Sequence, residues 1–542
     1  MAVTAPERPA GGGRLAVARA GLWHLRRGGV AQVRRFRDRR RAGAAPPSRP
    51  ERSPATPGLV VGVVADDHLH LALGHEWHVV VPSPTTAGAE GAGPPPLDLL
   101  VVGSSPSGAA HRWRDQLLGS SAPGAALAQL LDACRGTGTP TVLWDTDERE
   151  APLVGAAASF DRVYAADATR AERYRRALGH ARVGVLPPAV QPVLHSPARA
   201  AGGPGAGREH PVVLVPGQDG GPAAVRTVLE HSARGTVVVT GAAAAGPLEP
   251  GEVLRARDAD EAALVLRGAL NSPQLRDRTV HLAQRRIWRE HTYGARARRV
   301  LADVGLREGD AARDPYVTAL VSTHRAAQLE QILRTVASQR GVRVQLALLT
   351  HGFVAREHAL RRRCRELGIE EVVLLTADRT VPLGACLNRL VAVADAPVVA
   401  KLDDDDLYGE HYLADQARAL AYADADLVGK QAHHVHLRRS GATVLRFGDR
   451  EHRYTDLVAG PTIVCRREVA AAARFPEVAR GEDTGMLRRV VAAGGRVYSA
   501  DRFNFVQVRS GRDAHTWQIT DDEVLATGEL LFFGPPQSHV LV

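Results

Sequence analysis

The chain contains very little lysine and cysteine. Only two lysines, Lys401 and Lys430, occur among its 542 residues, whereas arginine is abundant. Its four cysteines lie far apart and form no C-x-x-C pair, which argues against a disulfide framework or a zinc site and favours reduced thiols. No apolar run approaches the roughly 20 residues that cross a bilayer, and the basic N-terminus lacks the apolar core of a signal peptide. The sequence therefore predicts a cytoplasmic protein without a transmembrane helix.

The positive charge is concentrated at the N-terminus. The whole chain has a net charge of +10, and residues 1–56 carry thirteen arginines against three acidic residues, which leaves the rest neutral overall. We therefore expect no specific nucleic-acid binding by the body of the protein. We call residues 1–57 the basic tail. Residues 14–41 fit either a basic amphipathic helix, peripheral at the anionic inner face of the plasma membrane, or a disordered segment, because Gly28 and Gly29 interrupt the apolar pattern.

Residues 58–304 alternate between apolar strand-like runs and helical stretches. The predicted strands are Leu59–Val64, Trp77–Val81, Leu97–Val102, Pro140–Trp144, Asp161–Tyr164, Arg182–Leu186, Val212–Val215 and Thr236–Thr240. Runs that are apolar throughout indicate parallel sheets covered by helices, and hence an α/β fold. The Pro/Gly-rich piece 196–210 is predicted to divide two sheets. Residues 273–304 are predicted to be one helical region that ends the unit.

A Gly/Asp-rich linker, 305–314, introduces a further domain at 315–542. The sequence predicts strands at Tyr316–Thr323, Val344–Leu349, Glu371–Leu375 and Pro397–Leu402, separated by helices at Ala327–Gln339, Ala355–Leu367 and Leu383–Ala394. Ligands of open α/β sheets bind at the carboxyl ends of such strands.

Four consecutive aspartates, Asp403–Asp406, follow the last of these strands directly. We call them the acidic run. Carboxylates this close repel one another unless a positive charge compensates them, and a hard divalent cation shared with phosphates is a common solution. A solvated acidic loop or a calcium site is the alternative. A second acidic pair, Glu482 and Asp483, fits either a catalytic role or the favourable placement of acids at a helix N-terminus.

Residues 315–517 resemble family 2 glycosyltransferases of the GT-A fold. The matching pieces, in order, are Ser322–Arg325, Leu333–Gln339, Gly384 with Asn388, Lys401–Tyr408, Gly460–Arg467, Gly481–Thr484, Val506–Arg509 and His515–Trp517. The resemblance implies a metal-dependent, inverting transfer of a sugar from a nucleotide-sugar donor to a glycan or lipid-linked acceptor. Cell-surface or cell-wall polysaccharide synthesis is the expected context.

The resemblance also implies roles for individual residues. The metal ion, manganese or magnesium, would be held by Asp403 and Asp405, with His515 as an additional ligand. Asp483 would be the general base, and Glu482 would orient it or bind the acceptor. Asp406 is expected to cap a helix starting near Glu410. The residues expected to contact the donor are Thr323, His324, Arg325, Asn388, Lys401, Asp403, Asp404 and Arg509.

One turn departs from the family pattern. Where the family usually places an acid that recognises the nucleotide base, this chain has Thr350, His351 and Gly352. The identity of the base therefore stays open, with Asp378 on the next loop as a substitute for the missing contact.

Residues 58–304 resemble CgeB-type (spore-maturation) glycosyltransferase-like proteins, with a GT-B-like pair of Rossmann-type sheets. The matching pieces are Thr141–Glu148, Phe160–Tyr164, Tyr174–Gly179, Leu186–Pro188 and His291–Arg296. The expected architecture is thus a GT-B-like domain followed by a GT-A domain. Because no clear Gly-rich phosphate loop is present, the first domain is either a degenerate, acceptor-positioning or scaffold domain, or a second active transferase. The whole chain could accordingly be a bifunctional enzyme or a non-catalytic scaffold.

Overall fold

The computed structural model describes residue 30 and residues 54–84, 96–117, 122–146, 153–179, 182–200, 212–215, 220–306, 314–478, 480–510 and 519–542. The described residues divide into two compact units. Residues 54–196 with 212–306 form the N-terminal unit, and residues 314–542 with 197–200 form the C-terminal unit. The segment 14–41, apart from residue 30, lies outside the described residues, as does His515.

The N-terminal unit is built on a six-stranded parallel sheet with strand order β2-β1-β3-β4-β5-β6. The strands are β1 (Thr56–Val64), β2 (Trp77–Val80), β3 (Leu99–Gly103), β4 (Thr141–Asp145), β5 (Arg162–Ala165) and β6 (Val183–Val185). The intervening helices are Asp67–Gly74, Gly108–Leu117 (3-10), Ala125–Thr137, Val154–Ala157 and Ala168–Leu178. Strands β3 and β4 are buried along their whole length, as expected for strands covered on both faces.

A separate three-stranded parallel sheet completes this unit. It contains β7 (Val212–Val215), β8 (Val237–Thr240) and β9 (Leu254–Arg255). Its helices are Pro222–Ala233, Ala259–Asn271, Pro273–Glu290 and Tyr293–Asp303. The predicted helical region over 273–304 consists of two helices separated at His291 and Thr292, because the side chain of Thr292 caps a new helix by accepting a hydrogen bond from the amide of Ala295.

The C-terminal unit contains an eight-stranded mixed sheet with order β12-β11-β10-β13-β19-β15-β20-β18. Its first four strands in the chain are β10 (Tyr316–Thr323), β11 (Arg343–His351), β12 (Glu371–Ala377) and β13 (Val398–Lys401), and they are mutually parallel. The helices between them are Leu329–Ala337, Glu357–Glu366 and Leu383–Ala392. The helix Leu329–Ala337 buries Ile332, Leu333 and Val336 on one face, which is the spacing of an amphipathic helix.

A second, five-stranded sheet in this unit has the order β14-β21-β16-β17-β22. The remaining strands of the unit are β14 (Leu407–Tyr408), β15 (Leu427–Gly429), β16 (His433–Leu437), β17 (Ala442–Arg446), β18 (Arg453–Thr455), β19 (Val464–Arg466), β20 (Val497–Ser499), β21 (Phe505–Arg509) and β22 (Glu529–Phe533). The remaining helices are Pro197–Ala200, Ala326–Gln328 (3-10), Tyr412–Tyr422, Gly448–Arg450 (3-10), Gly460–Thr462 (3-10), Arg467–Ala473, Glu482–Ala492, Asp521–Thr527 and Gln537–Val540. A mixed α/β fold with parallel sheets, as predicted, is confirmed.

The described helices include none with the length and apolar composition that a bilayer span requires. All four cysteines are buried as free thiols, in agreement with the predicted absence of a disulfide framework.

Candidate functional site

The acidic run follows β13 at the carboxyl edge of the larger sheet in the C-terminal unit. Leu320 of β10 lies opposite Lys401 of β13 in parallel register. Continuing that register by three residues brings Thr323 opposite Asp404, and the Thr323 hydroxyl donates a hydrogen bond of 2.5 Å to Asp404 Oδ2. The run therefore lies where ligands of parallel α/β sheets bind.

The four aspartates face different surroundings. Asp404 and Asp406 are buried, whereas the side chains of Asp403 and Asp405 are 34% and 20% exposed. Burial raises the pKa of Asp404 and raises that of Asp406 well above its ordinary value. Asp403 and Asp405 are thus the members of the run that are open to a ligand.

Asp406 has a different role from the predicted helix cap. Its Oδ1 accepts a hydrogen bond of 2.9 Å from the backbone amide of Val508 in β21. The following helix begins at Tyr412 with His411 at the N-cap and without a side-chain cap. Through this hydrogen bond, Asp406 connects the end of the acidic run to the five-stranded sheet.

Arg325 and Lys401 bring positive charge to the run. The Arg325 guanidinium lies 2.9 Å from Asp405 Oδ2 and 3.4 Å from Asp404 Oδ1. The Lys401 ammonium lies 2.8 Å from Asp403 Oδ1 and 3.1 Å from Asp483 Oδ2. Burial lowers the pKa of Lys401, but the two carboxylates outweigh burial, so that the pKa is raised and the ammonium stays charged.

The shared ammonium of Lys401 brings Asp483 to the acidic run although 82 positions separate Lys401 from Asp483 in the chain. Asp483 lies in the first turn of helix Glu482–Ala492, and its side chain is 19% exposed. Its Oδ1 is buried without a hydrogen-bond partner among the described residues. Burial raises the pKa of Asp483 to about 6, although the charge of Lys401 opposes the rise. A carboxylate with this pKa is ionised at neutral pH and is a stronger base than an ordinary aspartate.

Gly460 allows this position of Asp483. A Cβ atom at residue 460 would lie 1.9 Å from Asp483 Oδ2, closer than any real contact. The importance of Gly460 follows from this packing, and the sequence pattern alone did not indicate it.

Tyr408 fixes the backbone at the start of the run. Its hydroxyl accepts a hydrogen bond of 2.9 Å from the amide of Asp403 and donates one of 3.0 Å to the carbonyl of Pro461. This buried tyrosine therefore links the acidic run to the turn that contains Gly460, a second role that the sequence did not predict.

The other predicted site residues have different surroundings. His324 is exposed beside Arg325, and Glu482 is buried next to Asp483. Both polar ends of the Asn388 side chain are engaged by the backbone of Phe475. Arg509 is buried and donates to the carbonyl of Ile519, so it contributes to the packing of the unit, and its contact with the donor stays a prediction.

The charges of the site fit a bound cation. Four carboxyl groups, those of Asp403, Asp404, Asp405 and Asp483, lie within 4 Å of the two cationic side chains, Lys401 and Arg325. Within the described residues, no cluster of three His, Cys, Asp or Glu side chains could hold a metal ion by itself. One or two carboxylates supplemented by phosphate oxygens and water are the usual protein contribution to a magnesium-type site. Asp403 and Asp405 fit such a contribution, and His515 lies outside the described residues.

One comparison with known proteins finds a family match in the N-terminal unit. Residues 211–302, which include β7–β9 and the helices after them, match a family model described as glycosyl transferase-like. The N-terminal unit therefore contains a glycosyl transferase-like domain. No curated protein matches the chain in sequence.

Several solved structures are similar to part of the chain. TarS 1-349 of S. aureus in complex with UDP-GlcNAc is 12% identical, with 39% of this chain and 64% of that chain covered and a TM-score of 0.31. The mannosyltransferase PcManGT from Pyrobaculum calidifontis, in complex with GDP-Man and Mn2+, is 18% identical, with 41% and 66% covered and a TM-score of 0.31. The chain thus spans less than two thirds of the length of these proteins.

Proposed function

We propose that the chain is a metal-dependent, inverting glycosyltransferase of the family 2 type. Its C-terminal unit, with a GT-A fold, transfers a sugar from a nucleotide-sugar donor to a glycan or lipid-linked acceptor, in the synthesis of a cell-surface or cell-wall polysaccharide. The N-terminal unit is proposed to be GT-B-like, which agrees with its two parallel sheets and with its glycosyl transferase-like domain.

The observation that carries this proposal is the ammonium of Lys401 between Asp403 and Asp483. Transfer from a nucleotide sugar needs charge compensation at the leaving diphosphate and a base at the acceptor hydroxyl. Lys401 holds the carboxylates suited to these two tasks within one hydrogen-bonded group. The alternative of a helix N-terminal acidic pair gives no reason for Asp483 to contact a buried lysine.

Asp403 and Asp405 would hold the divalent cation. When bound, that cation would offset the negative charge of the departing nucleoside diphosphate. Arg325 and Lys401 keep the two carboxylates oriented in the absence of ligand, and Asp404 fixes the run against β10 through Thr323.

Asp483 acts on the acceptor in this proposal. It takes the proton of the attacking hydroxyl while the new bond forms to the anomeric carbon and the bond to the diphosphate breaks. Attack from the face opposite the leaving group inverts the anomeric configuration. Because the pKa of Asp483 is raised to about 6, the base is both ionised and effective near neutral pH.

The test is a panel of nucleotide sugars with and without Mn²⁺, applied to the full chain. We expect one donor to raise the melting temperature in the presence of the metal, because a ligand that binds only the folded state stabilises it. Released nucleotide is then measured. Asp405→Asn should lose most of the metal-dependent stabilisation and release, whereas Asp522→Asn, which changes an exposed acid in another helix, should retain both. Absence of any donor-induced shift in the wild type contradicts the proposal.

A further inference from the structure

A cavity of about 360 Å³ lies in the C-terminal unit beside the five-stranded sheet. Its lining includes Leu407, His436, Arg438 and Val508, together with residues 534–537 near the C-terminus. We call it the Arg438 cavity. Its volume is within the range of small-molecule sites, and none of the residues assigned to the acidic run lines it.

The side chains of the Arg438 cavity favour an anion. No acidic residue is among the described residues that line it. Arg438 is exposed, and its guanidinium has no ion-pair or hydrogen-bond partner among the described residues. His436 contacts the hydroxyl of Thr443 through Nδ1 at 3.0 Å, while its Nε2 has no partner in the described part of the chain. An arginine and an imidazole without partners can both donate to a phosphate or a carboxylate.

Strand pairing places this cavity close to the acidic run. Val508 of β21 donates its amide proton to Asp406, and the same residue is the register partner of His436 in β16. Asp406, Val508 and His436 therefore occupy neighbouring positions across three adjacent chain segments. With a spacing of about 4.8 Å between strands, His436 lies roughly 10 Å from the acidic run.

The difference in charge between the acidic run and the Arg438 cavity explains why each would bind a different group during one reaction. A negatively charged acceptor group beside Asp403, Asp405 and Asp483 would be repelled, because like charges at short range raise the free energy. If the same group lies beside Arg438 instead, it meets a cation that no described carboxylate neutralises. The acceptor can then present an uncharged hydroxyl to Asp483.

We propose that the Arg438 cavity is an acceptor subsite, which binds a negatively charged group of the acceptor, a phosphate or a carboxylate, between Arg438 and His436. This inference rests on the proposed transferase function and names the class of acceptor that it uses. Glycosyl phosphates and uronic acids are the two sources of such a group.

The test compares two neighbouring arginines of the same hairpin. Arg438 and Arg439 are both exposed, but only Arg438 lines the cavity. Arg438→Ala and Arg439→Ala therefore change the net charge equally. Binding to the full chain is measured by saturation-transfer NMR for N-acetylglucosamine 1-phosphate, glucuronic acid and the uncharged sugars N-acetylglucosamine and glucose. This measurement needs no turnover.

We expect a charged probe to bind more tightly than its uncharged counterpart, and Arg438→Ala to weaken that binding about 10-fold. Arg439→Ala should keep wild-type binding. The preferred probe, phosphate or carboxylate, identifies the source of the anion. In an enzyme with established donor cleavage, the same substitution should raise the acceptor KM.

Several outcomes overturn the inference. Equal effects of the two substitutions, or no preference for charged probes, show that the cavity does not bind a negatively charged group of the acceptor. A loss of nucleotide-sugar affinity in Arg438→Ala as large as the loss for the charged probes assigns the cavity to the donor instead. If no nucleotide sugar is cleaved while Arg438-dependent binding of charged sugars is present, the proposed function fails and anion binding by the cavity stands.

Discussion

At the scale of single residues, the two lysines of the chain are set apart from its many arginines. Both are buried and ion-paired in the C-terminal unit, Lys401 with Asp403 and Asp483, and Lys430 with Asp501. A lysine ammonium is a compact point charge, whereas a guanidinium is a planar fork. At position 401 the compact charge fits between two carboxylates of the proposed site and links their ionisation.

Lys401→Met should shift the pH dependence of the reaction. The general base must be ionised, so the wild-type rate should rise with pH through about 6, the pKa of Asp483. The charge of Lys401 lowers that pKa, so removing it should move the acidic limb of the kcat/KM profile upward by about 1 pH unit or more.

Lys401→Arg is the control for this prediction. It keeps a positive charge near Asp483, and its acidic limb should stay closer to the wild-type position than that of Lys401→Met. A uniform loss of rate in Lys401→Met, with an unchanged limb, would mean that the lysine only holds the local structure.

Individual residues also show which features of the site could be predicted from the sequence. The sequence predicted that the acidic run follows a strand and that Asp483 lies at a helix start, since both statements rest on local patterns. It could not predict that Lys401 contacts both, because that contact depends on the packing of distant segments. For the same reason Asn388, expected near the donor, proved to be engaged by the backbone of Phe475.

At the scale of elements, the 3-10 turn Gly460–Thr462 packs against the first turn of helix Glu482–Ala492. Gly460→Ala should displace Asp483, because the added Cβ would lie 1.9 Å from Asp483 Oδ2. Gly460 does not adopt a positive φ, so an alanine causes no backbone strain there. We expect a fall in rate that approaches the loss caused by removing a general base, about 10²-fold or more, with unchanged donor affinity.

Gly268→Ala is the control, since a Cβ at that helical glycine meets no atom within 4 Å. Rate and donor affinity are measured for both variants, together with the melting temperature. A Gly460→Ala protein with wild-type rate would show that the contact with Asp483 does not matter for function.

The elements differ in how well the sequence predicted them. Eight of the nine strands of the N-terminal unit and the first four strands of the C-terminal unit were predicted, with ends shifted by a few residues, whereas β9 and the short strands β15, β18, β19 and β20 were not. The five-stranded sheet was not predicted. Its strand β14 has only two residues, and β16 carries three histidines. Short strands that are rich in polar residues have no distinctive periodicity, and their pairing with distant partners defines them.

At the scale of the whole molecule, the excess positive charge and the proposed catalytic residues lie in different parts of the chain. The basic tail carries an excess of positive charge equal to the net charge of +10, while the proposed site lies in the C-terminal unit and the glycosyl transferase-like match in the N-terminal unit. We expect the basic tail to bind an anionic surface and the C-terminal unit to carry out the proposed reaction.

Deleting residues 1–53 should abolish binding to anionic vesicles. We expect the full chain to co-sediment with vesicles that contain phosphatidylglycerol, and to dissociate as salt is raised, because clustered arginines are attracted to such surfaces by about 1 kcal/mol each. Vesicles of phosphatidylcholine alone are the control. Equal co-sedimentation of the truncated protein would mean that residues outside 1–53 bind the vesicles. If neither protein co-sediments, the predicted binding to an anionic surface is wrong.

The central claim is that Asp483 is the general base of a transferase whose donor is held at the acidic run. The most direct measurement is the rate of nucleotide release by the wild type and by Asp483→Asn, with the donor Kd determined for each. We predict that Asp483→Asn releases nucleotide 10²–10⁴-fold more slowly than the wild type, with a donor Kd close to that of the wild type. An Asp483→Asn protein that releases nucleotide at the wild-type rate would contradict it.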